Sequence, residues 1–227
     1  MKQLALAVAR AGSRVFANFH AGENAEALAR CQQLAGGERL ALWLWGPPGC
    51  GRSHLLQATA AAGGESATLI RGSDPDMLPG PLAGRTRLVI VDDIDARVGD
   101  ARFERWLFTA YRELEDAAGG LLVSAEAPPR GLRWGLADLA SRMSASQVLR
   151  LRPLDDRGRA AALKLHAGHR GFALPDETLD YLLARLPRDL PSLFELLDTL
   201  DSASLEMQRR ITVPFIREVL HRRGHEV

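Results

Sequence analysis

Residues 40–54 read LALWLWGPPGCGRSH, and an amphipathic stretch follows directly, SHLLQATAAA. An apolar run, a glycine-rich turn and a helical pattern, in that order, are the setting in which G-x-x-x-x-G-K-[ST] cradles phosphate. Gly46, Pro47, Pro48, Gly49, Cys50, Gly51, Arg52, Ser53 and His54 follow that pattern with one departure, arginine at 52 in place of lysine. The glycines let backbone N–H groups curl around phosphate oxygens, and the helix N-terminus adds partial positive charge. Ser53 offers a hydroxyl to Mg²⁺. Arg52 keeps a cation at the right place but spreads it over a planar fork. We therefore expect a site that retains nucleotide and hydrolyses it slowly or not at all.

A phosphate loop needs a second half, an acidic strand end that orients the metal. LVIVDDID at 88–95 supplies one: Asp92 is the candidate metal ligand with Ser53, and Asp93 the candidate polariser of an attacking water. Further short apolar runs lie at 67–70, 121–124 and 147–151, near-continuously hydrophobic as buried parallel strands are. Between them, Phe103, Trp106, Leu107, Ala110 and Leu114 fall on one helical face. The alternation predicts an α/β fold with a parallel five-stranded sheet flanked by helices. After Pro153 the rhythm gives way to four helical patterns separated by Gly171, Pro175 and Pro187. The reading is a core over 13–152 and a small helical lid domain over 153–227, preceded by a short peptide, 1–12.

The formal net charge is only +1, so no global basic field points to nucleic acid, and no direct sequence-specific DNA binding is expected. Cys31 and Cys50 are too few for a disulfide framework and lack metal-ligand spacing. The apolar run Leu4–Ala9 is shorter than a signal-peptide core, and no stretch approaches a membrane span. A cytoplasmic protein is expected.

Taken together, FANFHAGENAEAL (16–28), GPPGCGRSHLLQA, LVIVDDID, LADLASRM (136–143) and ITVPFIREVL (211–220) resemble, in order, the AAA+ module of the DnaA family of replication initiators. The likeness runs from about Phe16 to Leu220. The initiator itself carries lysine in the loop and a DNA-binding domain beyond its lid. Arg52, and an end at HRRGHEV, fit the regulatory branch of the family better.

The resemblance implies further roles. Phe16 and Asn18, with Phe19, match the adenine-side segment, although two aromatics there also suit simple core packing. Ser124 and Glu126 fall where a first nucleotide sensor stands, or are plain loop residues. Arg142 matches the arginine finger that stabilises charge on a neighbour's phosphoryl group. The usual second sensor arginine is replaced by Pro191, with Arg188 three residues earlier as a substitute. Gln3, Leu4 and Leu6 fit the short Q-L-x-L peptides that dock on the β sliding clamp. The implied function is a regulator holding ADP (or ATP) with Mg²⁺. With DNA-loaded clamp, it stimulates hydrolysis of the ATP bound to DnaA and so prevents over-initiation. The alternative is an autonomous AAA+ ATPase resembling a helicase loader. Whether the chain self-associates stays open.

Overall fold

The computed structural model describes residues 14–72, 74, 82, 84–185 and 189–222. It divides into two compact units, one over Arg14–Leu154 and one beginning at Asp155.

Five strands build the first unit: β1 (Ala41–Trp45), β2 (Ala67–Arg71), β3 (Leu88–Asp92), β4 (Gly120–Ala125) and β5 (Gln147–Arg150). All pair in parallel, in the order β2-β3-β4-β1-β5. Alternate side chains of a strand point to opposite faces, and here both faces are covered. Trp43, Val89, Val91, Leu121 and Val123 share one core with Phe103, Leu107 and Met143. These come from α3 (Ala101–Asp116) and α4 (Ala137–Ala145). Leu42, Leu44, Ile90 and Leu122 share the other with Cys31, Leu34, Leu55 and Leu56, from α1 (Ala25–Ala35) and α2 (Arg52–Gly63). Two-sided burial is why the strands read as unbroken apolar runs.

One charged residue inside this unit is structural. Glu104 on α3 is 1% exposed and accepts backbone N–H groups from Gly99 at 2.7 Å, Gly135 at 3.1 Å and Leu136 at 2.6 Å. Leu136 is the N-cap of α4, so a carboxylate on one helix fixes where the next begins. Nothing in the helical spacing of α3 marks this position as buried.

The second unit comprises α5 (Asp156–His169), α6 (Asp176–Arg185), α7 (Leu190–Met207) and α8 (Val213–Arg222). Leu163, Leu179, Leu182, Leu193, Leu197, Phe215 and Ile216 form its core. Arg170 joins α5 to α7 through Asp198 at 2.9 Å and Asp201 at 2.8 Å, and His166 meets Asp198 at 2.8 Å. Pro191 lies in the first turn of α7, where its missing N–H costs no helical hydrogen bond. Asp189 caps that helix by accepting from Ser192 N–H at 2.9 Å. Among the described residues no helix is long and apolar enough to cross a membrane.

Replacing Glu104 with Ala strands three backbone donors in a water-excluded place. At about 1–3 kcal/mol for each unsatisfied buried group, we expect E104A to lower the unfolding free energy of this unit by about 3 kcal/mol or more. Urea denaturation followed by tryptophan fluorescence measures it; a loss under about 1 kcal/mol contradicts the role.

Candidate functional site

The sheet order sets the carboxyl ends of β1, β4 and β3 side by side, and the loop leaves the sheet from β1. Gly46 N–H donates to Ala125 O at 3.3 Å, tying the loop's first residue to the end of β4. A Cβ on Gly46 would stand 2.5 Å from Leu151 O, so the backbone passes too close for any side chain. Gly51 caps α2 at φ 100°, in the left-handed region, and a Cβ there would come within 2.9 Å of the Phe19 ring. Gly49, at φ 79°, is left-handed too, so all three loop glycines are demanded by geometry. The Cys50 thiol is buried beside the loop, and burial pushes its pKa up, so it is not poised as a nucleophile.

Arg52 opens α2, and its side chain is only 9% exposed. Nη2 lies 3.3 Å from Asp93 Oδ1 and 3.9 Å from Glu126 Oε1. Nη1 is buried without a hydrogen-bond partner. A buried donor left unpaired is costly, and this one belongs to the cation at the foot of a phosphate-type loop. It is the observation that best fits the residues to an anionic ligand.

Asp92 ends β3, buried, and accepts the Ser124 hydroxyl at 2.6 Å; the same oxygen of Ser124 receives Asp93 N–H at 2.9 Å. Ser124 therefore positions both aspartates. Asp93 takes left-handed backbone angles, φ 52° and ψ 56°, uncommon for a residue with a side chain. Gly72 makes room: its N–H donates to Asp92 O at 2.7 Å, and a Cβ on it would lie 2.2 Å from Asp93 O. Burial first, then the Asp92 carboxylate, push the Asp93 carboxyl above its ordinary range. Arg52 opposes that rise, while Asp95 and Glu126 add to it. The site is richer in negative charge than one guanidinium offsets.

Ser53, half-buried on the first turn of α2, and Asp92 are the oxygen donors that would hold Mg²⁺ beside a phosphate. Two protein oxygens suit an ion that keeps most of its shell as phosphate and water. Among the described residues no group of three or more His, Cys, Asp or Glu side chains makes a protein-only metal cage.

The adenine-side segment comes to the loop through His54. Its Nε2 lies 3.1 Å from Val15 O and 3.0 Å from Asn18 Oδ1. Because the Val15 carbonyl can only accept, Nε2 carries the proton. Asn18 Oδ1 also accepts Val15 N–H at 3.0 Å, and the Phe19 ring meets the His54 ring edge-on at 5.2 Å. Phe16 and Phe19 are half-buried against the core. The aromatics pack against the core, and Asn18 is held beside the loop through His54.

Arg142 stands apart, in the last turn of α4. Its Nη1 donates to Glu115 Oε2 at 2.7 Å, and its guanidinium lies 5.1 Å from the Tyr111 ring and 5.3 Å from Phe108. Glu115, Tyr111 and Phe108 all come from α3, so that helix presents the arginine. Sequence reading missed Glu104, Ser124 as the link between the aspartates, and Glu115; each acts by a contact about 27–32 residues distant in the chain. Gln3, Leu4, Leu6 and Arg188 lie outside the described residues.

Residues 156–220 match the family model of the Hda lid domain. The fold is similar to domain III of the Thermotoga maritima replication initiation protein DnaA, with a TM-score of 0.76 and 18% identity over 92% of this chain and 96% of that one. AMPPCP-bound DnaA from Aquifex aeolicus follows at 0.63, with 21% identity over 81% of this chain and 64% of that one. The Thermotoga maritima RuvB Holliday junction branch migration motor gives 0.60, at 14% identity over 91% and 72%. At these identities the structural likeness is one of fold. Residues 156–220 of the helical unit thus match the Hda lid domain, and the chain shares the fold of DnaA domain III.

Proposed function

We propose that this chain is a nucleotide-bound regulator that promotes hydrolysis of ATP on DnaA rather than on itself. The observation that carries the reading is the Hda lid match over residues 156–220. Its own loop suits retention: Arg52 brings an unpaired buried N–H to the phosphates, while Asp93, the candidate to polarise a water, is tied to Arg52 at 3.3 Å. ADP or ATP would lie along Gly46–His54 with Asn18 and Phe16 on the base side, and Ser53 and Asp92 would hold Mg²⁺. When bound, that ion screens the phosphate charge. Arg188 is a further candidate for phosphate contact from the lid segment.

Arg142 is the group offered to the partner. In the isolated chain it is paired with Glu115, but both side chains are over a third exposed, at 34% and 39%. Exposed pairs contribute under about 1 kcal/mol. An arginine finger acts by stabilising transition-state charge, by about 10³–10⁵ in rate, and a pair this weak lets Glu115 aim the guanidinium without locking it away. Gln3, Leu4 and Leu6 would tether the molecule to the β sliding clamp, and with it to loaded DNA. The site of action is cytoplasmic.

The deciding assay is single-turnover hydrolysis of ATP bound to DnaA, on clamp-loaded DNA, with and without this protein. Stimulation is expected, and Arg142→Ala should lower it by at least about a hundredfold while leaving folding and clamp binding unchanged. Undiminished stimulation by R142A removes the finger. In a pull-down, the double substitution Gln3→Ala, Leu4→Ala should abolish clamp association; persistent binding rules out the peptide. The isolated chain should turn over ATP well below about 1 s⁻¹, the low end of ordinary enzymes; faster turnover favours an autonomous ATPase.

A further inference from the structure

We propose that the helical unit carries a contact surface for the sugar–phosphate backbone of duplex DNA, built from Arg185 and Arg217 around Tyr181. The inference goes beyond the action on DnaA and does not depend on what the phosphate loop holds.

Tyr181 lies on α6, and Arg185, one turn further along the same helix, places its guanidinium carbon 5.8 Å from the ring centroid. Arg217 reaches the same ring from α8, at 5.3 Å. Both arginines are exposed, and among the described residues no carboxylate pairs with either. Glu177 and Asp180, the nearest acids of α6, leave them unpaired. Glu218, beside Arg217 in the chain, is already engaged by Arg209 at 2.7 Å and Arg222 at 2.8 Å. His221, four residues after Arg217, continues the exposed side of α8. The Tyr181 hydroxyl is buried without a hydrogen-bond partner. Two like charges thus share one aromatic ring, next to a polar group whose need is unmet.

Stacking on an exposed ring holds a guanidinium weakly, so each fork is free to turn toward a stronger partner. Guanidinium forks match phosphate oxygens in paired N–H···O geometry, and an anion between the two relieves their mutual repulsion. Duplex DNA presents one negative charge per about 1.7 Å of its axis, dense enough to meet neighbouring cations together. An acidic protein segment fits this surface less well. Protein interfaces centre on apolar or aromatic anchors, and the large exposed hydrophobics among the described residues, Val148 and Leu205, belong to neither α6 nor α8. Cations without an apolar anchor suit backbone contact, which positions a protein on DNA without reading its sequence. The near-neutral chain agrees with this, because the basic surface is local.

The test is fluorescence anisotropy of a short labelled duplex titrated with the full chain at several salt concentrations, without DnaA, clamp or nucleotide. At physiological salt the unmodified chain should bind with a Kd of about 10⁻⁴–10⁻⁶ M, the range of non-specific contacts, whatever the duplex sequence. The double substitution Arg185→Ala, Arg217→Ala should weaken binding at least about fivefold and flatten the salt dependence by about one unit of slope per arginine. Arg185→Lys with Arg217→Lys keeps both charges and should retain most of the affinity. Absence of duplex binding by the unmodified chain, or equal affinity and slope in the alanine variant, overturns the surface. Binding of poly-glutamate in place of the duplex assigns these arginines to an acidic protein partner and overturns it as well. None of these results alters the hydrolysis assay on DnaA, so the two readings fail separately.

Discussion

A guanidinium with one-tenth of its surface exposed cannot stand alone, and the pairing of Arg52 with Asp93 at 3.3 Å organises the site around it. The pair is a product of topology. Only because β4 lies between β3 and β1 do the acidic end of β3, Ser124 of β4 and the loop leaving β1 converge. Ser124 then holds Asp92 and the backbone of Asp93, and Gly72 clears the space for Asp93 to turn left-handed. What remains unsatisfied is one nitrogen of Arg52. Among the described residues of this unit it is the buried side-chain polar atom without a partner, and its place in the loop suits an anion.

The two arginines that matter sit in opposite circumstances. Arg52 is enclosed by its own chain and surrounded by carboxylates, which suits holding a ligand and resists the rearrangements of turnover. Arg142 lies in the last turn of α4, aimed by Glu115 and flanked by two aromatic rings of α3. Its pairing is weak enough to yield to a phosphate. The proposed retention at one arginine and donation at the other are compatible in a single small core.

Much of this was readable from the residues alone, where the signal is local. The loop announces itself through glycines at fixed offsets and an apolar strand before them, and the buried parallel strands through unbroken hydrophobic runs. The Hda-type lid was implied by family resemblance and four helical patterns. Pro191 illustrates a reading limited by its frame: set against a sensor arginine it is a gap, and in the fold it is an ordinary first-turn proline. Glu104, Glu115 and the linking role of Ser124 were unreadable for a different reason. Their meaning comes from groups about thirty residues away, and a glutamate on a helix carries no local sign that it will be buried against another helix's first amide groups.

The most direct test of the account is a crystal structure of the chain bound to ADP. The account predicts that Arg52 Nη1 donates to a phosphate oxygen while Nη2 keeps its contact with Asp93. Phosphates held by the loop with Arg52 turned out to solvent, or with its unpaired nitrogen still unsatisfied, would contradict it.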